Sequence, residues 1–153
     1  MYKTIIFSLV SFSFIACSQT TALKHFQTEA SKARATQDTQ KLDIVENGKI
    51  KALYWATYLN NIEETKNHRF LVSIYFTHEN KDEYKNISSS NFLLNEKKAK
   101  KLKVVEDNKF SSILQNRPWA KHYIVSFEKQ DSTNSLDLNF TYNSNHLNLT
   151  FQR

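Results

Sequence analysis

The chain contains one glycine, Gly48, and one proline, Pro118, in 153 residues. That scarcity excludes whole classes of site before any pattern is read. Phosphate-cradling loops, the G-x-G-x-x-G dinucleotide fingerprint and the G-x-S-x-G nucleophile elbow all need glycines at fixed spacing, because the backbone there takes positive φ or passes close to a ligand. A P-loop, a dinucleotide fold and an α/β-hydrolase are excluded. The single glycine instead follows Asn47, and Asn-Gly between apolar runs predicts a two-residue type I′ hairpin turn. Its arms are Leu42-Asp43-Ile44-Val45-Glu46 and Lys49-Ile50-Lys51-Ala52-Leu53-Tyr54-Trp55. The second arm continues through Ala56-Thr57-Tyr58-Leu59, apolar on both faces, as expected of a central strand.

Period-two alternation supplies the other strands. Arg69 to Thr77 sets Phe70, Val72, Ile74 and Phe76 on one face and Leu71, Ser73, Tyr75 and Thr77 on the other. In the C-terminal third, Tyr123, Val125 and Phe127 share a face, as do Leu136, Leu138, Phe140 and Tyr142, while Leu147, Leu149 and Phe151 close the chain. Asn143-Ser144-Asn145-His146 has turn composition and predicts a terminal hairpin. Ile87 to Leu94 is a weaker strand candidate ending at Asn95. Asn60 to Asn67 and His78 to Lys85 read as polar or charged loops, and Asn108 to Gln115 as a helical turn ended by Pro118. About eight short strands with few helices predict an all-β sandwich or barrel.

The first seventeen residues are of a different kind. Lys3 precedes an apolar run, Ile5 to Ala16, broken only by serines, which fits the h-region of an export signal. A membrane-crossing helix needs about 20 apolar residues. This run stops sooner, at Ser18-Gln19-Thr20-Thr21, and is too short to anchor the chain itself. At its end stands the only cysteine, Cys17. Phe14-Ile15-Ala16-Cys17 resembles the lipobox of bacterial lipoproteins, with Phe14 where that family most often has Leu and Ile15 where it has a smaller residue. The resemblance implies cleavage before Cys17 and several acyl chains on that residue, enough for stable attachment where one chain, at ~0.8 kcal/mol per buried CH₂, gives marginal binding. It also implies the outer membrane as destination, because Ser18 stands where an inner-membrane lipoprotein tends to carry Asp. The alternative is an ordinary secretory signal cut after Ala22, with Thr20 and Ala22 as the small residues, which would yield a free periplasmic or secreted domain.

The expected organisation is a signal over 1–16, a lipidated Cys17 with a tether over 17–41, and a β domain over 42–153. Leu23, Phe26, Ala30 and Ala33 fall at helical spacing, so the tether is either a short amphipathic helix over Ala22 to Arg34 or a flexible segment. With no thiol beyond Cys17, neither a disulfide nor a cysteine metal site is available. The β domain resembles the small immunoglobulin-like sandwiches of exported bacterial proteins, in which Pro118-Trp119 leads into a strand such as Tyr123-Ile124-Val125-Ser126-Phe127. That resemblance covers about residues 42–153, rests on pattern, and lacks the cysteine pair of antibody domains. It implies an immunoglobulin-like antiparallel β-sandwich of about eight strands.

Charge is concentrated. Removing residues 1–16 deletes Lys3 from the 21 basic residues, leaving 20 against 15 acidic ones and a net charge of +5. Lys97, Lys98, Lys100, Lys101 and Lys103 account for all of it, so the rest of the domain is balanced. One reading is a solvated loop and edge strand protected by lysines. The other is a contact for phosphate-bearing envelope lipids or an acidic partner. Nucleic acid is not an expected partner of an exported chain.

Catalytic patterns are absent from the sequence. His25, His68, His78, His122 and His146 are scattered without metal-ligand spacing. Glu63-Glu64, Asp82-Glu83 and Glu106-Asp107 are adjacent pairs in loops, and adjacency does not place two carboxylates across a cleft. No cofactor and no metal is expected. Trp119 reads as a half-buried rim residue whose indole body packs while its N–H stays wet. The expected function is therefore a lipid-anchored, non-catalytic envelope protein whose sandwich binds an envelope protein or an anionic lipid or supports an assembly. The alternative is a small-ligand carrier, hydrolase inhibitor or enzyme built around an aromatic-lined pocket.

Overall fold

Nine strands form two antiparallel sheets: β1 (Thr39–Glu46), β2 (Lys49–Tyr58), β3 (His68–Phe76), β4 (Phe92–Leu94), β5 (Lys97–Lys98), β6 (Lys101–Val104), β7 (Lys121–Phe127), β8 (Ser135–Tyr142) and β9 (Asn145–Gln152). Sheet one runs β1-β2-β3-β7-β6 and sheet two β5-β4-β8-β9. The structure, a computed structural model, describes residues 29–77, 81–105, 110–114, 117–130 and 134–152. Arg34–Arg153 form one compact unit; of the other, Met1–Ala33, only residues 29–33 are described, and they are helical. Helical backbone covers 29–37, so the expected helix over 22–34 is seen from residue 29 onward. Residues 22–28, the apolar run and Cys17 lie outside the described residues. The first strand begins at Thr39, ahead of the boundary expected at Leu42.

The strand order is that of an immunoglobulin-type sandwich. Lettered in that convention, β2 to β9 take the places A, B, C, C′, D, E, F and G, so the sheets read A-B-E-D and C′-C-F-G, with β1 added outside A. This is a statement about topology and carries no function with it.

Asparagine does most of the turning that glycine would do elsewhere. At the β1–β2 hairpin, Asn47 and Gly48 take φ of 51° and 72°, the positive pair a type I′ turn demands. The β4–β5 hairpin repeats it without glycine, using Asn95 at 46° and Glu96 at 69°, and Asn143 at 51° opens the β8–β9 turn. Asn tolerates this region because its short side chain bonds locally. The Asp137 N–H donates to Asn95 Oδ1 at 2.8 Å, and the Asn95 N–H donates to the Asp137 carbonyl at 3.0 Å. The second hairpin escaped the sequence reading because its second turn residue is Glu. Around it, Ser89–Asn91 form a short 3₁₀ turn before β4, and Lys81–Lys85 are helical within the segment expected to be loop.

The inner faces pack as an aromatic layer. Tyr54 of β2 stacks on Phe140 of β8 with centroids 4.9 Å apart and planes 2° from parallel, and Phe92 of β4, the cross-strand partner of Phe140, lies with its centroid 4.9 Å from that ring. Phe70 meets Phe151 at 5.2 Å and Phe76 meets Tyr142 at 5.0 Å, so β3 is joined to both β8 and β9. Each such side chain, fully buried, contributes roughly 1.5–3 kcal/mol. On one flank the chain crosses between sheets through the lysine segment, where Ala99 is buried between β5 and β6. On the other flank β1 and β9 approach. Gln40 Nε2 donates there to the Thr150 carbonyl, and Asn145 Nδ2 to Glu46 Oε1 at 2.9 Å.

The two outer faces differ. β8 turns Ser135, Asp137, Asn139 and Thr141 outward, and Thr150 Oγ1 donates to Asp137 Oδ1 across the strands at 2.7 Å. Sheet one instead carries a second apolar cluster on its outside: Leu59, Leu71 and Ile124, covered by Phe110 and the helical turn Ser111–Leu114.

Candidate functional site

Register determines which side chains meet on the outer face of sheet one. Lys41 lies opposite Trp55, Trp55 opposite Ser73, and Ser73 opposite His122; one row along, Leu53 lies opposite Tyr75. Partners of this kind stand about 4.5–5.5 Å apart at Cβ. Above them, the Arg117 carbonyl accepts from the Ala120 N–H at 3.2 Å, making a β-turn with Pro118 and Trp119 at its centre. Proline suits that first central position because its φ is preset. The turn lays the Trp119 ring edge-on against Trp55 at 5.4 Å and against Tyr75 at 4.7 Å. Trp119 remains 48% exposed, its body packed as expected of a rim residue.

Cations frame this aromatic group. The Arg117 guanidinium carbon lies 5.3 Å from the Trp55 ring centre and Lys41 Nζ 5.8 Å from it, within cation–π range. Lys41 also pairs with Asp43 at 2.9 Å. Among the described residues no carboxylate pairs with Arg117, and burial lowers its guanidinium from the ordinary value. It stays charged at any physiological pH.

The described histidines are tied into local hydrogen bonds. His122 contacts Ser73 Oγ at 2.9 Å through Nδ1 and bonds the Arg117 carbonyl. A carbonyl only accepts, so the other ring nitrogen carries the proton and Nδ1 accepts from the serine. Burial first, then the Arg117 charge, hold the His122 imidazole below its ordinary value, against the opposing effect of the carbonyl bond. Although a serine donating to a histidine has the polarity of a nucleophile and its base, Ser73 is 1% exposed and leaves no approach for a substrate. His68 is buried: the Gln130 N–H donates to Nε2 at 3.2 Å, so Nδ1 carries the proton and donates to Tyr58 Oη at 2.8 Å. His146 Nδ1 sits 3.2 Å from Thr141 Oγ1. Among the described residues no group of three or more His, Cys, Asp or Glu converges as metal ligands.

The lysine segment lies on sheet edges. Lys97 and Lys98 form β5, the edge of sheet two; Lys101 and Lys103 belong to β6, the edge of sheet one; Lys100 lies between them, and all five are exposed. Lys100 Nζ bonds Glu128 Oε1 at 3.0 Å, and that bond, with the charges of Lys100 and Lys97, holds the Glu128 carboxyl below its usual range. Both readings of the segment fit this placement.

Two open grooves lie away from the aromatic group. One of about 340 Å³ is lined by Asn95, Glu96, Ser135, Asp137, Asn139 and Asn148 on sheet two. The other, of about 270 Å³, lies beside Tyr58, Asn60, Glu64, His68 and Lys129 at one end of the sandwich. Both are polar and shallow. Fold and surface together define an all-β sandwich domain with one polar outer face and one aromatic, cation-framed outer face. Comparison with family models, curated proteins and solved structures finds no match to this chain.

Proposed function

We propose that the protein is a lipid-anchored component of a bacterial cell envelope, held through Cys17 in the outer membrane, whose β-sandwich is a non-catalytic binding or assembly domain. The placing of Cys17 directly after an export-type apolar run supports the anchor. Binding rather than chemistry is supported by one observation on the surface. The histidines and the buried serine of the described residues are engaged in structural hydrogen bonds, while Trp119 stands exposed over the half-buried Trp55 and Tyr75 on a sheet face. In this reading the lysines from Lys97 to Lys103 guard two sheet edges and offer a basic contact to anionic lipid or an acidic envelope protein. Changing all five to Gln would then abolish a salt-sensitive share of liposome binding.

Fatty-acid labelling with membrane fractionation, native protein beside Cys17→Ala, tests the anchor. Label and membrane attachment are expected to vanish together with the thiol. A native protein that carries no lipid and fractionates as soluble would replace this reading with the cut after Ala22 and a free domain.

A further inference from the structure

We propose that the uncovered half of the outer face of sheet one rests on an anionic lipid surface, with Trp55 and Trp119 at the level of the headgroups. The proposal takes from the anchor reading the means by which the domain reaches a membrane; the contact itself is argued from the surface.

The outer face of sheet one carries apolar residues along its length, interspersed with Lys41, Asp43 and Ser73, and is covered along only part of it. Phe110, Ile113 and Leu114 close over Leu59, Leu71 and Ile124. Toward the β1–β2 hairpin the apolar strip continues through Trp55 and Leu53, past an irregularity in pairing between Ile44 and Val45, to the cross-strand pair Val45 and Ile50. There Val45 is 51% exposed, Ile50 46% and Trp119 48%. Exposed apolar surface of this kind marks an interaction site in a soluble domain.

Three features select the occupant. First, the strip lies on a sheet face, and neither of the two polar grooves described above lies on it. Second, the apolar residues run toward the β1–β2 hairpin, as far as Val45 and Ile50 beside the charged pair Glu46 and Lys49 that flanks its turn. A protein interface gathers its anchoring residues at the centre of the patch within a polar rim, while shallow insertion into a bilayer uses apolar residues at a projecting edge. Third, the aromatic residues are Trp and Tyr, which settle at the bilayer interface, and of the two cations beside Trp55, Arg117 complements anionic headgroups while Lys41 is paired with Asp43.

The chain supplies its own reporter, because its only two tryptophans both lie in this patch. The full-length lipidated protein is reconstituted on vesicles of equal parts phosphatidylglycerol and phosphatidylcholine, with and without brominated acyl chains, and tryptophan emission is recorded. The expected result is a blue shift and strong quenching by the brominated lipid. Both weaken on phosphatidylcholine alone, at high salt, and in Arg117→Gln with Lys41→Gln. Trp55→Phe keeps an aromatic ring in the sheet and isolates the Trp119 signal. Emission that stays unshifted and unquenched while the protein remains vesicle-bound through its lipid would overturn the proposal and leave the anchor standing; a patch reserved for an acidic protein would give that result. If Cys17 carries no lipid, quenching of the unlipidated chain by added anionic vesicles would retain the lipid-facing patch and remove only the anchor. No quenching at lipid excess would overturn both.

Discussion

Tyr54 lies at the centre of the sandwich with its hydroxyl unpaired, and Tyr54→Phe should stabilise the protein. The side chain is fully buried, stacks on Phe140 at 4.9 Å, and its Oη finds no hydrogen-bond partner among the described residues. Burial pushes the phenol far above its ordinary value, as a hydroxyl stranded among rings requires. An unpaired buried hydroxyl costs roughly 1–3 kcal/mol. Its deletion leaves a void of about one oxygen atom, on the order of 15 Å³, which at ~24 cal/mol per Å³ takes back about 0.4 kcal/mol. The ring stack is unchanged. A net gain of about 1 kcal/mol follows, equivalent to roughly 4 °C in Tm for a domain of this size. Urea titration is the assay: the midpoint should rise by about 0.5 M with the slope m unchanged. A lower midpoint, at equal m, would refute the reasoning and show that the hydroxyl is paired, with a buried water as the simplest partner.

The turns and His122 carry the other predictions. Glu96, at φ 69° without a glycine's freedom, should improve on replacement. For Glu96→Gly, roughly 1–2 kcal/mol of backbone strain is relieved against ~0.4–1 kcal/mol of added unfolded-chain entropy, leaving a gain of about 0.5–1 kcal/mol in chemical denaturation. Gly48→Ala should lose a similar amount, because nothing lies within 4 Å of the added Cβ and only its φ of 72° is at issue. His122 has a folded value below the ordinary 6.5, so it contributes nothing to the pH dependence where both states are neutral. As pH falls through 6.5 the unfolded chain takes up the proton first, and stability declines until the folded imidazole also protonates. Urea midpoints measured from about pH 7 down to about pH 5 should show this slope in the native protein and less of it in His122→Gln.

The strands were legible where their signal is local. Asn47-Gly48 announces its hairpin, and the alternations at Arg69 to Thr77 and Leu136 to Tyr142 each belong to one strand that buries one or both faces. β4 lies inside the weaker candidate over Ile87 to Leu94, but its hairpin with β5 was not legible, because strands of three and two residues joined by Asn95-Glu96 hold too few residues for a period and no glycine to mark the turn. The aromatic surface was illegible for a different reason. Lys41, Trp55, Tyr75 and Trp119 come from β1, β2, β3 and a turn, and only the sheet register and the Arg117 to Ala120 bond bring them together. A partial signal was present: β2 is apolar on both faces, which says that its outer face also needs a cover, though not what provides it.

That double-sided character separates what folding requires from what it leaves over. A sandwich needs one apolar face per strand, and β8 obeys, with Leu136, Leu138, Phe140 and Tyr142 inward and Ser135, Asp137, Asn139 and Thr141 outward. β2 and β3 depart from this, adding Leu53, Trp55, Leu71 and Tyr75 on the outside. Cover for Leu71 comes from Phe110 and the turn after it, so that part of the second face is explained by the core. Among the described residues, Trp55 and Tyr75 meet the edge of Trp119, itself half exposed, with Lys41 and Arg117 beside Trp55, and like Leu53 they remain half-buried. The flanking Lys41 and Arg117, with the lysines along both edge strands, keep such a surface from pairing with itself. An open apolar strip beside guarded strand edges is the arrangement on which the proposed lipid contact rests, and the strip lies toward the β1–β2 hairpin.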